Sequence, residues 1–109
     1  MAAQSVKTPK TITVAGLEWT VRTRTILRHG GETVDGLCVP DRQEIILRKQ
    51  VVAKADRTRK VLLHECLHAG LLAHPQYYDE TLIAIIEDRV DEIIRLNPQL
   101  MEMYGYVQR

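Results

Sequence analysis

The stretch Leu62-Leu63-His64-Glu65-Cys66-Leu67-His68-Ala69-Gly70-Leu71 decides how this chain is read. It lies in a region, from about Val52 to Ala73, that has no Pro and is dominated by Ala, Leu, Lys and Arg. Such a composition predicts a helix. Asp56 is a candidate cap for its strongest part. Pro75 stops it, because the residue before a Pro is pushed out of the α region. Leu63, Cys66, Leu67 and Gly70 fall near one stripe, with Leu62 at its edge. His64 and His68 then stand at i and i+4, one turn apart on one face. Two imidazoles so placed can grip one tetrahedral Zn2+. Glu65 is offset by about 100° from His64 and can reach a water on the metal without being a ligand. Cys66, about 200° from His64, is expected in the core.

A metal held by two His needs at least one more protein ligand, and the sequence offers two candidates. The first is Glu87, on a second helix predicted from about Asp79 to Leu96 and stopped by Asn97-Pro98. Eighteen residues separate it from His68, enough for one helix to end and another to return. Asp91 follows at i+4 and is expected to buttress a zinc-bound His, as second carboxylates do around metal sites. The apolar stripe of this helix is expected to be Leu82, Ile86, Val90 and Ile93, widened by Ile83 and Ile94. The alternative ligand is His74, ten residues after His64. That is the spacing of H-E-x-x-H-x-x-G-x-x-H, in which the Gly breaks the helix. Here Leu71 occupies that place and the Gly comes one residue early, at Gly70. Glu80 and Asp88 are spare carboxylates.

Upstream the period changes to two. Thr11–Ala15 and Glu18–Thr25 read as two strands of a hairpin around Gly16. His29–Gly36, with three Gly, reads as a loop. Gly36–Val39 and Glu44–Arg48, separated by Pro40–Gln43, suit a second hairpin. The predicted fold is α+β: a small, mostly antiparallel sheet of three to four strands packed on the motif-bearing helix and a second, C-terminal helix. The expected organisation is a single domain over 1–109, with 1–10 a flexible N-terminus and 99–109 a tail.

The 109 residues match the size of one domain. Lys and Arg number 15 and Asp and Glu 14, and this near balance argues against a nucleic-acid binder. The basic residues Lys54, Arg57, Arg59 and Lys60 read as a solvated helix turn. No apolar run approaches the ~18 residues of a membrane helix, and the first ten residues lack a secretory core. A cytoplasmic location is therefore expected. Two Cys cannot build a disulfide framework. With no Phe and one Trp the core must be largely aliphatic, and a bound metal would add stability.

The segment 62–71, the helix IIEDRVDEIIRLNPQL (85–100) and the upstream GLCVPDRQEIILR (36–48) together resemble the minimal zincin-like metallopeptidases of phage and bacterial genomes, related in architecture to ImmA/IrrE-type and SprT-like domains. The resemblance spans about 36–100. It implies a zinc-dependent peptidase with His64, His68 and Glu87 as ligands and Glu65 as general base acting on a zinc-activated water. The substrate would be a protein or peptide. In such proteins the strand before the motif helix aligns the substrate by strand addition, which here points to Glu44, Ile45, Ile46, Leu47 and Arg48. His74 departs from the pattern and keeps the third ligand open. Two other readings stand beside this one. One is a non-catalytic, zinc-stabilised binding or regulatory module of phage or bacterial origin. The other is a SprT-like protease on DNA-bound proteins that would use the basic residues 54–60.

Overall fold

A computed structural model describes residues 7–106. The chain is α+β, with a four-stranded, mostly antiparallel sheet and four helices. β1 (Thr11–Val14) and β2 (Leu17–Arg24) form the first hairpin. Its two-residue turn, Ala15-Gly16, has positive φ at both positions, the geometry that matches strand twist. Residues 28–33, expected as loop, fold into a small ribbon of β3 (Arg28–His29) and β4 (Glu32–Thr33). Gly30 and Gly31, both at positive φ, make its turn. β5 (Gly36–Val39) and β6 (Glu44–Arg48) form the third antiparallel pair.

The sheet order is β1-β2-β6-β5, and β2 runs parallel to β6. β6 is therefore an interior strand. Its residues Ile45, Ile46 and Leu47 are buried, and the core closes around Trp19, Ile45, Leu47 and Ala69.

The long helix expected over 52–73 is divided. α1 (Lys49–Val52) is one turn, and α2 (Ala55–Gly70) carries the motif. Lys54, extended in backbone, separates them and holds the cap position in place of Asp56. The Thr58 hydroxyl donates to the Val51 and Lys54 carbonyls and ties the two helices together. α3 (Glu80–Leu96) begins as the sequence predicts: the Asp79 side chain accepts from the Leu82 amide at 3.1 Å. α4 (Pro98–Met103) gives the first part of the expected tail, 99–103, a helical form. The flexibility expected of 1–10 lies largely outside the described residues, but Lys10 is fixed by its carbonyl, which accepts from the Val21 amide.

α3 runs antiparallel to α2, and a ladder of side chains fixes their register. Arg59 meets Asp91 at 2.6 Å, Lys60 meets Asp88 at 2.7 Å, and His64 meets Glu87 at 2.6 Å. Ile83, fully buried, plugs the contact. This reverses part of the expected stripe. Leu82 and Ile93, placed at its centre by periodicity, are exposed on the far side of α3.

Candidate metal centre

α2 delivers His64 and His68 one turn apart with their Nε2 atoms 3.0 Å from each other. The chain then leaves the helix at Gly70, passes a 3-10 turn at Pro75–Tyr77, and enters α3 at Glu80. The Glu80 carboxylate straddles the two rings: Oε1 lies 3.0 Å from His68 Nε2 and Oε2 lies 3.5 Å from His64 Nε2. One donor atom from each of His64, His68 and Glu80 falls within 4.8 Å of the others, so the three could hold one metal ion.

The far ring nitrogens have their own partners. Glu87 Oε1 lies 2.6 Å from His64 Nδ1, and an ionised carboxylate only accepts, so Nδ1 carries the proton and Nε2 a lone pair. The Tyr78 hydroxyl bonds to His68 Nδ1, and its ring meets the imidazole edge to face at 4.9 Å. Without an ion, the Tyr78 hydroxyl can donate to Nδ1 while His68 Nε2 donates to the Glu80 carboxylate; with a metal held, Nδ1 would donate to Tyr78 and both Nε2 lone pairs would turn to the ion. Two nitrogens on one tetrahedral zinc stand about 3.3 Å apart for bonds of ~2.0–2.1 Å, close to the spacing found. The donor set of two imidazoles and a carboxylate therefore fits a divalent transition metal. Glu80 is 63% exposed in its side chain, so the group opens to one side.

Glu65 is buried beside this group, and burial pushes its carboxyl up to about 7. His64 opposes that shift, while Glu80 and Glu87 add repulsion. Burial also lowers His68, favouring the neutral ring that a metal needs. The thiols of Cys38 and Cys66 are both pushed up to about 11 by burial and stay protonated. Cys66 packs against the core as expected.

Three placements differ from the sequence reading. Glu87 is near His64 but on the outer nitrogen, and it is Glu80 that stands with the two rings in the group that could hold an ion. Asp91, assigned the buttressing role, sits one turn further along and pairs with Arg59 and Arg95 instead. Those cations hold its carboxyl below the usual range. His74 is exposed at the start of the 3-10 turn, with its ring beside Tyr77, and lies outside the donor group. Glu80 had a signal in the sequence, since it lies two helical turns before Glu87 and shares its face. A glutamate in the first turn of a helix also complements the dipole, so its position alone does not single it out as a ligand.

The strand assignment changes as well. Glu44–Arg48 is flanked by β2 and β5, so its backbone groups are committed on both sides and cannot receive a peptide. The edge strands are β1 and β5, and β5 is the one beside the donor group. The Arg48 amide donates to the Asp35 carbonyl, and alternation along an antiparallel pair then turns the polar groups of Gly36 and Cys38 away from β6. Gly36, Leu37 and Cys38 line a cavity of about 390 Å3 together with His64, Glu65, His68, Tyr78 and Glu80. Gly36 is required there. A Cβ on it would stand 2.7 Å from Val61 Cγ1 and 3.1 Å from Glu65 Oε2.

The basic stretch is largely spent on internal pairs: Arg57 with Asp35, Arg59 with Asp91, Lys60 with Asp88. Among the described residues no helix is long and apolar enough to cross a membrane. Scans against protein-family models, curated proteins and solved structures return no match.

Proposed function

We propose that the chain is a zinc-dependent peptidase. The observation that carries this reading is a buried, unpaired-by-cation carboxylate, Glu65, set against the same cavity as a His-His-Glu donor group that opens to one side. A purely structural metal site has no use for such a group. His64, His68 and Glu80 hold the ion. When bound, zinc supplies a Lewis acid that polarises the scissile carbonyl and acidifies water. Glu65 takes the proton from the attacking water and delivers it to the leaving amine. Glu87 and Tyr78 accept from the outer ring nitrogens and keep both imidazoles oriented. The free edge of β5 orients an extended peptide through the polar groups of Gly36 and Cys38. The pairing of Arg57, Arg59 and Lys60 with carboxylates favours a protein substrate over nucleic acid.

The test is zinc content and cleavage of casein or a peptide library by wild type and Glu65→Gln. Both proteins should bind one zinc per chain, and the variant should lose about 10²-fold or more in cleavage rate. Stoichiometric zinc without cleavage of any substrate would favour a non-catalytic, zinc-stabilised module. A His64→Ala, His68→Ala double variant that keeps its zinc would remove both readings.

A further inference from the structure

Behind α2, on the side away from the donor group, lies a second cavity of about 360 Å3. It shares no lining residue with the first. Arg59, Leu62, Leu63 and Cys66 follow at i, i+3, i+4 and i+7 along α2, so they form one stripe, roughly opposite His64. α3 faces this stripe with Asp91, Ile94 and Arg95, and Ile12 of β1 closes the slot. Apart from one charged end, its walls are apolar. At that end Asp91 is buried, bonded by Arg59 Nε at 2.6 Å and faced by Arg95 Nε at 3.6 Å. Asp91 is the one carboxylate among the lining residues, so two guanidiniums share a single negative charge and one positive charge is left over. Arg95 and Ile94 are about half exposed, so the charged end opens to water.

An apolar slot with a surplus cation at its wet end is complementary to an aliphatic tail that carries one anionic head. We propose that this slot binds a straight-chain fatty acid. The tail lies along Leu62, Leu63, Cys66 and Ile12, and the carboxylate pairs with Arg95, the guanidinium that Asp91 meets only at the longer distance. Guanidinium and carboxylate are planar, two-pronged partners, which suits Arg95 to this head group. A neutral head gains nothing from the surplus charge, and a short acid such as acetate leaves the apolar walls uncovered. Ile12, Leu62 and Cys66 also pack against the core cluster that contains Trp19, and Ile12 stands directly across the β1–β2 pair from it. Occupation of the slot therefore registers at the one tryptophan of the chain. No residue of the donor group takes part, so binding does not depend on the peptidase reading.

Titration of the full chain with hexanoate, octanoate and decanoate, followed by Trp19 fluorescence and calorimetry, tests it. Binding should saturate at one acid per chain. Each CH2 buried is worth about 4-fold in affinity, so each step of two carbons should tighten binding roughly 15-fold until the slot is full. Octanol should bind about 10-fold or more weakly than octanoate, and Arg95→Gln should weaken octanoate by a similar factor. Arg95→Gln should keep the wild-type melting temperature, because an exposed pair at this distance adds little to stability. Ile94→Asp, which sets a second carboxylate at the mouth, should abolish binding. A chelator and Glu80→Gln should leave the affinity unchanged. Absence of saturable binding overturns the proposal, as does an affinity indifferent to chain length, to the head group or to both slot variants. Octanoate displaced by the chelator or by Glu80→Gln sits on the metal centre instead, and a dimer that Ile94→Asp dissociates, with no acid taken up, makes a second copy the occupant; either result also overturns it.

Discussion

Glu87 and Glu80 are both glutamates on one helix, yet they touch opposite ends of the His64 and His68 rings in the candidate metal centre. Their loss should therefore read differently. Glu87→Gln should weaken zinc binding about 10–100-fold, as loss of an outer partner does. Glu80→Gln removes a donor and should cost more, while His74→Ala should change nothing. Competition with a chromogenic chelator measures all three. Gly36 is the other residue with little freedom. Gly36→Ala drives a methyl into Val61 and Glu65, and overpacking of this kind costs about 1–3 kcal/mol. Cleavage should fall with zinc retained, and Val61→Ala added to Gly36→Ala should restore part of it, because the 2.7 Å contact is with Val61.

The pairing of α2 with α3 rests partly on Asp91, buried between Arg59 and Arg95. Its carboxyl is held below the ordinary 3.8, chiefly by the hydrogen bond from Arg59. A depressed pKa stabilises the folded chain above 3.8, and that stabilisation is lost as pH falls through the folded value. Asp91→Asn should thus unfold more easily than wild type by about 1–3 kcal/mol near neutrality. The gap should close as denaturation curves are taken to more acid pH. These elements also mark how far the sequence could be read. The His64–His68 pair, the two hairpins and the start of α3 depend on neighbours within a few residues, and all were legible. Strand order is not local. Nothing between residues 25 and 43 announces that β6 inserts between β2 and β5, so strand addition was assigned to an interior strand. The face of α3 was ambiguous for a different reason. The helix has apolar residues on two sides, and periodicity favoured the side richer in Leu and Ile. Contact with α2 instead selects the side bearing Ile83, Glu87 and Asp91.

Taken whole, the chain closes a four-stranded sheet and two long helices around a core with Trp19 as its one large aromatic. Its candidate metal donors come from two helices, so an ion that binds only the folded form would stabilise their docking. With zinc at a hundred times its dissociation constant the gain is about 2.7 kcal/mol. A chelator should lower the melting temperature by roughly 10–20 °C for a chain of this size. A melting point indifferent to chelator would count against a bound ion. The ladder between α2 and α3 carries one further consequence, for length variation. The loop at 71–79 only has to reach from one helix to the other, so an added residue there leaves every rung in place. An added residue between Thr81 and Ile86 leaves Glu80 over the rings but turns Glu87 and Asp91 by about 100° from their partners. The stretch from 80 to 91 is thus a fixed ruler, where the chain tolerates a change of letter far better than a change of count.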